Sequence, residues 1–267
     1  MNISLTNLPK ITFRATSNVS NQNMQTAPQN MQSQPVKDTF EKSDKTSEKN
    51  SNSPKYVTTD IFYINDNHGR IGNMSRIYSA KELYDYQTKN STADKLVLAA
   101  GDISAGADHN VARAANTYMN ALGVEATSDG NHEYDENPPE LADSKKGAKF
   151  KSLGMNLQIP KGNPLDGVIE KSFVLEKNGH KYAIIGLAPP DLHERIRDND
   201  SRKQIGVDDF EKTLKDVQTA VDDFKKQGIN KVIVLSHCGL TKDQRLAKET
   251  SGTVSYTHLR AHETGAY

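Results

Sequence analysis

The chain has 267 residues with one cysteine and no tryptophan, and its 34 Lys and Arg are matched by 34 Asp and Glu. This length allows one or two domains. Zero formal net charge removes the electrostatic case for a nucleic-acid polymer or an anionic membrane surface as partner. Cys238 alone cannot build a disulfide framework, and no run approaches the roughly 18 apolar residues of a membrane span. Counting glycine in place of tyrosine, roughly 37% of the chain is apolar against about 45–50% in an average globular domain, so part of it is expected to lie outside any core.

The polar excess sits at the start. In residues 16–54, 22 of 39 positions are Ser, Thr, Asn or Gln, too polar to offset the entropy of ordering, so residues 1–54 are expected to form a disordered leader. Residues 1–17 scatter Ile, Leu and Phe among polar positions without the apolar run of a signal peptide. As read, the chain is cytoplasmic.

From Lys55 the texture becomes that of an α/β domain, expected over residues 55–253. Residues 56–64, 95–100, 181–187 and 231–236 read as strands, several apolar throughout and so buried on both faces. A short run over 124–128 resembles them. A helix is expected over 107–122. Residues 170–176, the Asn178-Gly179 turn and the strand after it read as a β-hairpin. The clearest helix carries Phe210, Leu214, Val217, Val221 and Phe224 at alternating steps of four and three, with Asp208 as its cap and Gly228 as its end.

Ligands in open α/β sheets collect at the carboxyl ends of strands, and that is where this sequence places its polar groups. The first strand ends in Asn65-Asp66-Asn67-His68-Gly69, the second in Gly101-Asp102, the 124–128 run in Gly130-Asn131-His132-Glu133-Tyr134-Asp135, and the last in Ser236-His237. Singly these are turns or ordinary histidines. Jointly they offer oxygen and nitrogen donors suited to Zn²⁺, Mn²⁺, Fe or similar ions. A carboxylate shared by two such ions would hold them about 3.5–4 Å apart, the separation that activates water and clamps a phosphate.

The order Asp-x-His-Gly, Gly-Asp, Gly-Asn-His-Glu, Ser-His-x-Gly, here at Asp66 to Gly69, Gly101-Asp102, Gly130 to Glu133 and Ser236 to Gly239, resembles the calcineurin-like metallophosphoesterases. Asp135 completes the pattern of their 5′-nucleotidase and 2′,3′-cyclic-nucleotide phosphodiesterase branch. The resemblance implies a two-sheet sandwich flanked by helices and two divalent metal ions (Mn, Zn, Fe, Co or Mg). Asp66 and His68 would hold the first, Asn131 and His237 the second, and Asp102 would bridge them. His132, oriented by Asp135, would lie outside the metal shell as a catalytic group, with Asn131 and His132 touching substrate. The implied reaction is attack of a metal-bridging hydroxide on a small phosphate ester, most simply a nucleotide. A cyclic phosphodiesterase, a UDP-sugar hydrolase and a non-catalytic module with a vestigial metal site are the alternatives. Members of this branch are usually exported, so a periplasmic or extracellular location competes with the cytoplasmic reading. Asp129, where relatives carry an apolar residue, is a local departure that either adds a carboxylate beside the metals or points away. Tyr134 reads as a packing ring, and His109, His180 and His193 match no motif.

The larger departure follows the Ser-His-x-Gly block. Residues 240–252 fit the expected helix, but no buried strand and no Gly-His-x-His turn is legible after them. His258 and His262 lie one helical turn apart, unlike that motif, and are not taken as its substitutes. Residues 254–267 resemble the translation of a sequencing-adapter read-through and are set aside as non-native. On this reading the chain is a fragment short of two histidine ligands, with weakened metal binding, little turnover, an unpaired sheet edge and poor solubility.

Overall fold

Strands that are apolar at every position need cover on both faces, and the architecture supplies it. The computed structural model describes residues 57–104, 108–253 and 255–257; the polar leader, His258 and His262 lie outside them. The first half runs β1 (Thr59–Ile64), α1 (Ile71–Gln87), β2 (Asp94–Ala100), α2 (His109–Leu122), β3 (Ala126–Ser128), a 3₁₀ turn (His132–Asp135), α3 (Pro138–Lys145), β4 (Lys151–Leu153), β5 (Leu157–Gln158) and β6 (Ile169–Glu170). The second half runs β7 (Ser172–Lys177), β8 (His180–Leu187), α4 (Leu192–Arg195), α5 (Asp200–Gln204), β9 (Gly206–Val207), α6 (Phe210–Lys226), β10 (Val232–Ser236), α7 (Leu240–Glu249) and β11 (Ser255–Thr257).

One sheet has the order β1-β2-β3-β4-β6, parallel throughout, and the other the order β11-β10-β8-β7, with β7 antiparallel. Strands β5 and β9 form a small antiparallel pair. Leu96 and Leu98 of β2 meet Tyr182 and Ile184 of β8 and Ile233 and Leu235 of β10 between the sheets. The alternate residues of the same strands face helices. Val97 and Ala99 pack with Met119 and Leu122 of α2, and Ile185, Val232 and Val234 pack with Leu214, Val217 and Val221 of α6. The result is the expected α/β sandwich, with helices on the outer faces of two sheets. The layers are in close contact at Gly186, where a Cβ would collide with that of Leu153 and lie 2.5 Å from the Leu153 carbonyl oxygen.

Several local expectations need correction. The cap of α6 is Asp209, whose carboxylate accepts from Lys212 N at 2.8 Å; Asp208 instead receives Lys212 Nζ at 2.8 Å. Gly228, at φ +78°, does end that helix in the left-handed region. The run over 170–176 is not one strand. Ile169 and Glu170 close the first sheet, and the chain enters the second at Ser172. Asn178 and Gly179, both at positive φ, then make the hairpin turn. A strand does follow α7: Ser255–Thr257 pairs in parallel with β10, with Thr257 opposite Leu235. Its backbone pairs with the edge of β10, and the Tyr-Thr pair in Ser255–Thr257 favours an extended strand without an apolar pattern. The helices α1 and α3 were not among the expected elements. Met74 alone is buried along α1, and α3 starts on Pro138-Pro139 with the Glu140 carboxylate accepting from Asn137 N at 3.2 Å. Among the described residues no helix is long and apolar enough to cross a membrane.

Candidate active site

The loops that leave β1 and β2 are tied by three backbone hydrogen bonds beyond the strands: Asp66 N to Gly101 O at 3.2 Å, His68 N to Asp102 O at 2.8 Å and Gly69 N to Ile103 O at 2.8 Å. To make them, Asp66, His68 and Asp102 take φ of 52°, 50° and 49°. Residues other than glycine adopt this region at a cost, and Asp and His tolerate it better than most. Gly101 and Gly130 let the loops touch, since a Cβ on Gly101 would lie 2.6 Å from Gly130 N and from His237 Nδ1, and one on Gly130 would strike the Asp102 carboxylate.

Asp102 is fully buried at the centre. Its Oδ1 accepts His132 N at 2.9 Å, and its Oδ2 faces His237 Nε2 at 3.2 Å and His68 Nε2 at 3.7 Å. His68 Nε2 is also 3.7 Å from Asp66 Oδ1. His237, 3% exposed, directs Nδ1 at the Ala100 carbonyl, 2.6 Å away. A carbonyl only accepts, so Nδ1 carries a proton, and in its neutral form the ring turns its Nε2 lone pair toward Asp102 Oδ2. Asn131 Oδ1 is buried without a hydrogen-bond partner, and Asp102 Oδ2 has none while His237 is neutral. Acceptors gathered in this way call for a cation. Burial alone would lower the His237 imidazole, but the Asp102 carboxylate overrides it and pushes the group up to about 9. Burial likewise works to raise Asp102, and His237 with the His132 N–H outweighs it, holding the carboxyl below its ordinary range.

Two groups of potential ligands result, His68–Asp102–His132 and Asp66–Asp102–His237, each with its donor atoms within 4.8 Å of one another. Asp102 belongs to both, so the residues present can coordinate two divalent ions that share one carboxylate. The grouping differs from the allocation implied by resemblance: Asp66 stands with His237, and His132 stands with His68, their rings edge to face at 4.8 Å. His132 Nδ1 meets Asp135 Oδ2 at 2.8 Å. Asp135 in turn accepts Arg197 N at 3.1 Å, and Asn199 Nδ2 donates to the carbonyls of Tyr134 and Asp135. The hydrogen bond to Asp135 raises the His132 pKa, against a lowering by burial, and the Asp102 charge adds to the rise.

Asp129 does not join the ligands. Its carboxylate takes Tyr134 Oη and Lys145 Nζ, each at 3.0 Å, which makes the fully buried Tyr134 a packing ring with a structural hydroxyl. His109 lies between Glu136 and Asp143, His180 pairs with Asp94, and His193 meets the Ile205 carbonyl; none belongs to either ligand group. The residue that sequence reasoning passed over is Glu133. Its buried carboxylate accepts four backbone N–H groups, from Asp102, Ile103, Ser104 and Gly130. Burial raises its pKa, and Asp102 and Asp129 add to this while Lys145 opposes it. Its place in the Gly-Asn-His-Glu block was the only sequence signal.

Residues 59–263 match the family described as calcineurin-like phosphoesterase. The chain is 30% identical to an apyrase of Anopheles gambiae, over 73% of its own length and 37% of the relative's. It is 27% identical to a probable 5′-nucleotidase of Treponema pallidum, over 72% of its length and 34% of the relative's, and so spans about a third of each. The crystal structure of a 5′-nucleotidase precursor from Thermus thermophilus superposes with a TM-score of 0.61 at 24% identity, covering 78% of this chain and 42% of that one. With the motif blocks gathered around a shared buried carboxylate and most of the described fold within the match, the chain belongs to the calcineurin-like phosphoesterase family.

Proposed function

We propose that this domain hydrolyses a nucleotide-like phosphomonoester with two divalent cations. The observation that carries the reading is the Asp102 carboxylate, buried, common to both ligand groups and with one oxygen turned to the ring nitrogens of His68 and His237. Asp66, His68, Asn131 and His237 complete the proposed ligand set. Bound cations would supply Lewis-acid activation of water and neutralise phosphate charge. This chain's own residues do the rest. His132, held through Nδ1 by Asp135, presents its other ring nitrogen to the site and in its protonated form stabilises charge on the phosphoryl group or gives its proton to the departing alkoxide. The hydrogen bond from Asp135 favours that form. The nucleotide preference rests on the similarity of the chain to an apyrase and a probable 5′-nucleotidase.

The test is phosphate release from AMP, 2′,3′-cyclic AMP and UDP-glucose with Mn²⁺, with the products identified. Release from AMP that falls to background in Asp102→Asn supports the reading. Cleavage of only the cyclic or the sugar nucleotide reassigns the substrate, and full activity in Asp102→Asn removes the shared-carboxylate assignment.

A further inference from the structure

We propose that Glu133 is a positioning residue that fixes the backbone of the Asp102 turn, and through it the oxygen that both ligand groups share. The proposal rests on the two-cation reading of the site. Glu133 is 5% exposed. Its Oε2 accepts Asp102 N at 3.0 Å and Gly130 N at 2.8 Å, and its Oε1 accepts Ile103 N at 2.8 Å and Ser104 N at 3.2 Å. Three consecutive N–H groups converging on one anion form a backbone nest. Here the anion is supplied by the chain itself.

The arrangement is reciprocal. Asp102 Oδ1 accepts His132 N at 2.9 Å, so each loop's carboxylate caps the other loop's backbone. Asp102 at φ 49° stays in the left-handed region only if its surroundings over-determine it, and the bonds from its own N–H and the next two supply that constraint. Released from them, the turn relaxes, and Asp102 Oδ2 leaves the point where His68, His237 and Asp66 converge. Gly130 N binds the same carboxylate oxygen as Asp102 N, which ties the Asn131-His132 turn to the Asp102 turn.

The experiment is Mn²⁺ titration calorimetry on the full chain, with thermal unfolding recorded for every protein. Glu133→Gln turns an amide N–H₂ toward two backbone donors and is expected to weaken Mn²⁺ binding by about 10- to 100-fold, the range for residues that orient metal ligands. Glu133→Asp keeps the charge and both acceptors and is expected to recover part of the affinity. Tyr182→Phe, which removes buried hydrogen bonds to Asp94 and Thr59 at the opposite strand ends, is expected to lower Tm and leave Mn²⁺ affinity unchanged. Parental affinity in Glu133→Gln overturns the proposal, and so does an equal affinity loss in Tyr182→Phe. If Glu133→Gln fails to fold, parental affinity in Glu133→Asp overturns it. If the parent chain itself binds no Mn²⁺, the two-cation reading falls and takes this proposal with it.

Discussion

At the scale of the residue, backbone conformation and chemistry coincide at Asp66, His68 and Asp102. Among the described residues only one other non-glycine residue, the hairpin Asn178, has positive φ. The ligand types were legible in the sequence because metal donors must be particular side chains in a particular order. Glu133 and Asp129 were not, because their partners are backbone N–H groups and a distant Lys145, neither of which leaves a pattern in a linear string. The His132–Asp135 pair allows a direct check. Asp135→Asn removes the largest cause of the raised His132 pKa, so an NMR titration of the ring in that variant should give a midpoint shifted down toward the ordinary 6.5. An unchanged midpoint would mean that Asp102 and Glu133 set the His132 charge without help from Asp135.

At the scale of the element, the continuous apolar runs of β2, β8 and β10 announced burial on both faces, and the alternation of their side chains between the inter-sheet layer and the helices is the reason. The split of residues 169–177 between two sheets was hidden, because leaving one sheet for the other takes a single residue and no glycine or proline marks it. The strand after α7 was missed for the opposite reason: edge pairing is made by backbone and asks little of the side chains. Gly186 had no legible role either, though it lets the second sheet lie against Leu153 of the first. Gly186→Ala drives a methyl into Leu153, whose carbonyl belongs to β4 and cannot rotate aside. The expected cost is about 1–3 kcal/mol, the usual range for overpacking, read as a lower midpoint in urea at unchanged slope. A stability equal to that of the parent would show that the sheets separate freely at this point.

At the scale of the whole molecule, the site draws on both sheets. Asp66, His68, Asp102, Asn131 and His132 follow strands of the first, and His237 follows β10 of the second. Cations bound here would therefore stabilise the packing of one sheet on the other as well as the loops. Mn²⁺ at a hundred times its Kd should add about 2.7 kcal/mol, a Tm rise of roughly 5–10 °C for a domain of this size, reversed by EDTA and absent in Asp102→Asn. A rise of equal size in Asp102→Asn would place the stabilising ion elsewhere. The sandwich as a whole was legible from alternating strands and helices. The register that brings His237 against Ala100 was not, since it depends on how two sheets stack and no local pattern encodes that.

Lys171 is the only residue between β6, which closes the first sheet, and β7, which opens the second. A tether one residue long leaves the two sheets almost no freedom to slide. β6 and β1 lie at opposite edges of their sheet, so the sandwich is laced at one side by covalent chain, while Asp66 and Asp102 approach His237 toward the other. Lys171 ties the sheets covalently at the β6/β7 edge, and the ligands join them again at the ends of β1, β2, β3 and β10. Hydrogen exchange at Ala100 and His237, where the two sheets meet at the site, would therefore report any parting of the sheets and its suppression by a cation.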